Sequence, residues 1–128
     1  LDVHDDERYL GFMNRVKETY PNIRLIASTV RTVHSASVNS LRAVCAEGGS
    51  LVKTDTFENL SVLDRIGSGD SFASGLLYAL LSGRDTQYAL SFALAHAAFT
   101  MTTPGDTSMA TAEDIENIVS KKSAKVVR

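Results

Sequence analysis

A chain of 128 residues that is 44% hydrophobic and 22% charged has the make-up of one modest globular domain, not of a disordered segment. Its net charge of −2 favours neither nucleic acid nor a polyanionic surface, and its apolar runs are too short to span a membrane. One cysteine, Cys45, excludes an internal disulfide and suits a reducing, cytoplasmic compartment.

The acidic opening, Leu1 to Glu7, does not read as a signal peptide. From about residue 5 to 20 the pattern is an amphipathic helix: Tyr9, Met13, Val16 and Tyr20 recur at helical spacing. Asp5, Asp6 and Glu7 suit its first turn, and Pro21 ends it. Ile23 to Val30 reads as a buried strand. Arg31 reads as a solvated arginine at its end. Val38–Ala46 and Ser50–Thr56 read as a hairpin turned at Gly48-Gly49. Lys53 in it reads as solvated.

Glu58 to Leu63 leads into the most informative stretch, Asp64-Arg65-Ile66-Gly67-Ser68-Gly69-Asp70-Ser71-Phe72. A glycine pair brackets a small hydroxyl residue, a carboxylate follows, and an apolar helical pattern begins at or next to Asp70. The first N–H groups of a helix lack intrahelical partners and carry the positive end of its dipole. Glycines let backbone approach a ligand closely. Together they make an anion site, most often for phosphate. A carboxylate there makes sense if a second substrate brings a hydroxyl whose proton Asp70 accepts. In-line phosphoryl transfer needs that pairing of amides with a base. The residue types alone fit equally well an ordinary loop with Asp70 as a helix N-cap. Neither G-x-x-x-x-G-K-(S/T) nor G-x-G-x-x-G is present.

The following helix runs to about Ser82, with Gly83 as its stop and Gly75 as a site of close packing. Asp85 caps a second helix over about 86–101. That helix is apolar all round, and so is buried on most sides. His96 in it reads as a hydrogen-bonded core histidine. Thr102 to Ala110 is a turn-rich loop centred on Pro104-Gly105. Thr111 with Asp114 starts a last helix in the manner of a capping box. Lys121, Lys122, Lys125 and Arg128 form a basic tail that reads as solvated. His34 has no Cys or His partner at ligand spacing, so no metal site is expected.

Asp64-x-x-Gly67-Ser68-Gly69-Asp70-x-Phe72-x-x-Gly75 resembles the C-terminal signature of PfkB/ribokinase-like carbohydrate kinases, D-x-x-G-(A/G/S)-G-D-x-F-x-x-G. The match is complete, with Arg65 where many members carry Thr. Ser28–Ser37 and Thr103–Thr111 look closest to 2-keto-3-deoxygluconate kinases. The family's T-x-G-x-x-G after the first strand is here Thr29-Val30-Arg31-Thr32-Val33-His34, with both glycines missing.

The resemblance implies an α/β chain, the C-terminal portion of a ribokinase-like three-layer α/β/α fold. Residues 1–128 would be its nucleotide-binding and catalytic portion, without the N-terminal sugar-binding and lid portion and without the family's Asn-x-x-Glu-type motif. It implies ATP and Mg²⁺, with Asp70 as the base and the Gly67, Ser68 and Gly69 amides as the anion hole. Thr29, Arg31, His96 and Gly105 would be nucleotide contacts. Asp64 and the Ile66 carbonyl would hold K⁺ or another monovalent cation, as in many relatives. The expected reaction is phosphorylation of a small sugar acid, 2-keto-3-deoxygluconate, to its 6-phosphate. The alternatives are a nucleotide-binding module without independent catalysis, a fructokinase- or ribokinase-type enzyme, and a non-enzymatic module. Parallel strands are normally covered on both faces. Half a sheet would therefore expose an edge and an apolar face, and self-association is expected.

Overall fold

The computed structural model describes residues 3–105 and 108–127. In chain order it has α1 (Val3–Thr19), β1 (Leu25–Ser35), β2 (Val38–Glu47), β3 (Ser50–Lys53), β4 (Phe57–Ser61), α2 (Ser68–Leu81), α3 (Thr86–Met101) and α4 (Ala112–Val127).

The strands form one four-stranded sheet around β2. β1 pairs with β2 from Leu25↔Glu47 to Ser35↔Val38, with an irregularity between Val33 and Ser35. Along the other edge β3 pairs with Val44–Glu47, and β4 pairs nearer Val38. All these pairings are antiparallel, so the expectation of a parallel sheet is corrected for the described strands. Hairpins explain it, because short turns such as Gly48-Gly49 can join only antiparallel neighbours. Both glycines have positive φ, 60° and 82°, and connect the Glu47↔Ser50 pair in two residues.

β2 is covered on both faces. Leu41, Ala43 and Cys45 join the larger core with α2, α3 and α4. Val44 and Ala46 pack with Val30 and Met13 of α1 in a smaller one. The result is three layers: α1, the sheet, then α2–α4. By the same alternation Arg42 points toward α1. It is buried there, with Nη2 3.1 Å from Asp6 Oδ1. Lys53 Nζ donates to Asp6 Oδ2 at 2.7 Å. Lys53, expected to be solvated, is thus tied to α1 through Asp6.

α3 lies in the middle of the helical layer. Ala89, Leu90, Ala93, Leu94, Ala95 and Ala97 are all at most 1% exposed, as its all-round apolar sequence requires. Burying each leucine contributes about 1.5–3 kcal/mol. The Asp85 carboxylate accepts from Tyr88 N–H at 2.8 Å and caps the helix. α2 ends where expected: Gly83 N–H bonds Leu80 O and Arg84 N–H bonds Ala79 O, a Schellman arrangement with Gly83 at φ 82°. Thr111 and Asp114 exchange bonds of 2.9 and 3.1 Å at the start of α4. Lys122 departs from the solvated reading. Its Nζ donates to Thr56 O and lies 4.7 Å from the centre of the Phe57 ring. The Lys125 side chain and Arg128 lie outside the described residues.

Candidate active site: the loop into helix α2

The loop from Leu63 to Gly67 is fixed by the far end of α3. Leu63 and Asp64 N–H both bond Met101 O, at 2.9 and 3.3 Å. Asp64 Oδ1 then accepts from Ile66 N–H at 2.9 Å, which folds the chain into an Asx turn. Ser68 N–H returns to Arg65 O at 3.2 Å. Gly67 takes φ 86°, a left-handed conformation that glycine adopts freely, and is the residue from which α2 starts.

α2 therefore begins at Ser68, two residues before Asp70. Asp70 sits inside the first turn and is not the N-cap, which removes the plainest reading of that carboxylate. No side chain caps the terminus. Ser71 N–H bonds Gly67 O at 2.9 Å, leaving the N–H groups of Gly69 and Asp70 without an acceptor among the described residues. Gly69 has an ordinary φ, and a β-carbon built on it would meet nothing within 4 Å. Neither strain nor crowding within this chain requires a glycine there. The space above it is open, beside two free amide donors and the exposed Asp70 carboxylate. Such a terminus has the donors to hold phosphoryl oxygens, with a carboxylate at its rim.

Directly behind Asp70 lies a buried polar ring. Ser71 Oγ and Thr100 Oγ1 are 2.7 Å apart, at 5% and 0% exposure. Thr100 Oγ1 donates to His96 O at 3.0 Å, so the hydrogen between the hydroxyls belongs to Ser71. The His96 ring returns to α2, where the Ser71 carbonyl faces it as an acceptor. His96 Nε2 meets Ser108 Oγ at 2.8 Å. Burial pushes the His96 pKa below its ordinary value, and the Ser71 carbonyl pulls partly back, so the ring is neutral at pH 7. Gly75, one turn on, is where α2 and α3 come closest. A β-carbon there would stand 3.1 Å from Ala93 Cα and 3.4 Å from His96 Cβ. A cavity of 230 Å³ opens beside it, lined by Ser74, Tyr78, Phe92, His96 and Thr111 among others.

The structure thus brings together Asp64, Ile66, Gly67, Ser68, Gly69 and Asp70, with His96 one layer behind. Thr29 and Arg31 are exposed on β1, and no described hydrogen bond or ion pair joins them to the loop. Gly105 lies exposed beyond α3 with φ 91°. The Ser71–Thr100 pair was not anticipated from sequence. A hydroxyl at position 100, in a run of buried apolar residues, was the available signal.

A family model, pfkB family carbohydrate kinase, matches residues 41–113, more than half of the chain. The chain belongs to this family. Its fold matches the 2-dehydro-3-deoxygluconokinase of Thermotoga maritima with TM-score 0.83 and 34% identity, over 89% of this chain and 34% of that one. A 2-dehydro-3-deoxygalactonokinase of Haloferax volcanii is 32% identical over 77 residues, 60% of this chain and 24% of its own. A 5-dehydro-2-deoxygluconokinase of Bacillus subtilis is 32% identical over 79 residues, 61% of this chain and 24% of its own. This pfkB-family chain has the ribokinase-like three-layer α/β/α architecture. It spans about a third of the solved relative and about a quarter of the curated ones. No described helix is long and apolar enough to cross a membrane.

Proposed function

We propose that this chain is the C-terminal, nucleotide- and phosphoryl-handling part of an ATP-dependent carbohydrate kinase. Its acceptor is a primary hydroxyl of a small sugar acid, 2-keto-3-deoxygluconate giving its 6-phosphate. The observation that carries the reading is the open, uncapped start of α2 at Gly67–Asp70, with Gly69 unexplained by packing. Asp70 takes the proton of the attacking hydroxyl. The free amides at Gly69 and Asp70, with Gly67 and Ser68 shaping the turn, hold the charge of the transferring phosphoryl. Magnesium would supply charge neutralisation on the nucleotide phosphates. The described residues offer no cluster of three or more His, Cys, Asp or Glu that could hold a metal ion. Asp64 and the Ile66 carbonyl are the donors for K⁺. The carboxylate already anchors the loop through one oxygen, leaving the other for a cation. Thr29, Arg31 and Gly105 border the nucleotide, and His96 shapes its base side through the 230 Å³ cavity.

A second reading is favoured by the share of the relatives that the chain spans. By itself it would be a nucleotide-binding module whose sugar stays open to water, weak or silent in turnover. The free outer edge of β1 and the exposed Leu77 and Leu81 would then favour self-association. Sedimentation as a clean monomer counts against that last point.

The test is coupled ADP release with 2-keto-3-deoxygluconate, ATP and Mg²⁺. It compares this chain, the gene product that contains it, and that product with Asp70→Asn. We expect turnover in the gene product that drops by about 10²–10⁴-fold in the variant. Turnover that survives Asp70→Asn nearly intact refutes the assignment of Asp70 as base. Other sugars in the same assay decide between a sugar-acid kinase and the fructokinase or ribokinase type.

A further inference from the structure

Four contacts converge on the residue that follows Asp70. The Ser71 hydroxyl is given to Thr100, its N–H to Gly67, and its carbonyl faces the His96 ring while also accepting from Ser74 Oγ at 3.1 Å. His96 reaches the other way to Ser108, and Ser108 Oγ accepts from Ala110 N–H at 3.3 Å. His96 Nε2 and Ser108 Oγ share one hydrogen bond of 2.8 Å, while the other side of the ring lies against α2, where a β-carbon on Gly75 would stand 3.5 Å from Nδ1. His96 Nε2 is thus engaged by the protein and turned to Ser108, not to a nucleotide base.

We propose that His96 is a positioning residue. It fastens the Ser108–Ala110 segment to the first turn of α2, so that the placement of this segment is transmitted to the Asp70 turn. The path is short and made of buried groups with fixed partners. Thr100 is fully buried, Gly75 lets the His96 side chain lie directly on α2, and Met101 O holds the other end of the same loop. Movement of Ser108 is therefore passed to the histidine ring, and movement of the ring to the α2 backbone on which it lies at Gly75. The consequence for catalysis rests on reading Gly67–Asp70 as the phosphoryl site. The mechanical coupling does not rest on it.

Amide hydrogen exchange of the unliganded chain tests the coupling without any nucleotide. Ser108→Ala removes the link at a half-exposed position and is expected to speed exchange across residues 66–72 at least threefold. Residues 86–95 of α3 should be unchanged, and Ser108→Thr should restore the native rate. Thr111→Ala, which weakens the neighbouring helix cap but not His96, should leave 66–72 as in the native chain. His96→Gln, which keeps a donor and an acceptor, should exchange more slowly there than His96→Leu. Native rates over 66–72 in both Ser108→Ala and His96→Leu would overturn the proposal. So would equal acceleration by Thr111→Ala. A second arm measures tripolyphosphate affinity with and without saturating adenosine. We expect adenosine to strengthen tripolyphosphate binding at least threefold in the native chain and not in Ser108→Ala. If neither ligand binds while the exchange response is present, the positioning role stands and the nucleotide reading falls.

Discussion

Asp6→Asn separates two roles of the ion cluster beneath α1. Arg42 has a side chain only 6% exposed, while Asp6 is 15% and Lys53 56% exposed. The Lys53 bond is short, but half in water such a pair contributes about 0–1 kcal/mol. The Arg42 contact is the costly one to break. Its Nη2 lies 3.1 Å from the carboxylate without hydrogen-bond alignment, and Nε and Nη2 make no hydrogen bond elsewhere. Taking away the carboxylate charge leaves a buried guanidinium with no other ion-pair partner among the described residues. Breaking a buried pair costs about 3–5 kcal/mol, and partial access of water to Asp6 argues for the low end, about 3 kcal/mol. At this chain length that is on the order of 10 °C in melting temperature. Urea and thermal unfolding followed by circular dichroism measure it. The reasoning makes a second demand. Asp6→Asn combined with Arg42→Met removes the stranded charge and should return to within about 1 kcal/mol of the native chain. A neutral single variant, or a double variant as weak as the single, refutes it.

The same carboxylate sets an acid limit. Lys53 foremost, and Arg42 after the opposing effect of burial, hold the Asp6 pKa below its usual 3.8. Its contribution is therefore present above about that pH and is lost as the pH falls through the lower folded value, which acid titration of the melting temperature shows as a drop absent from Asp6→Asn. At the alkaline end, burial, helped by Glu47, raises the Cys45 thiol from 9.0 to about 11. Stability from keeping it neutral is full below pH 9 and lost between 9 and about 11, and native Cys45 should resist a thiol reagent at pH 8 until urea is added. Gly75→Ala should destabilise by about 1–2 kcal/mol in the same melts. Crowding against the Ala93 backbone, about 1–3 kcal/mol, outweighs the gain of up to about 1 kcal/mol from helix propensity. Thr111→Ala should cost about 1 kcal/mol through the lost cap.

What could be read from sequence was mostly what a local rule decides. Asp85 and the apolar run after it give α3 its bounds, Thr86–Met101, because an N-cap and an all-round apolar helix need no knowledge of neighbours. Gly48-Gly49 and the Thr111–Asp114 box behave likewise. The failures are tertiary. β4 was missed because Phe57-Glu58-Asn59-Leu60-Ser61 is short and mostly polar, and Asn59 adopts φ 53°; pairing with β2 makes it a strand. Lys53 and Lys122 looked solvated, since nothing adjacent to them in sequence announces Asp6 or Thr56 O. Arg42 could have been flagged, because it shares its strand parity with Val44 and Ala46. At the candidate site, the Gly67–Asp70 motif was plain, but the start of α2 two residues before Asp70 was not. It depends on Met101 O gripping the loop from a helix some 35 residues away.

The two-sided burial of β2 governs how this chain can vary in length. A helical layer covers each face, so only the odd–even phase of the strand decides which side chains meet which layer. Inserting or deleting one residue within Val38–Glu47 would turn Arg42 into the cluster around Leu90 and Leu94, far from its carboxylate. It would also bring Leu41, Ala43 and Cys45 beneath α1. No compensating partner waits on either side. Length changes in descendants of this sequence should therefore gather at the Gly48-Gly49 turn and at residues 54–56. Within β2 they should be absent or come in pairs.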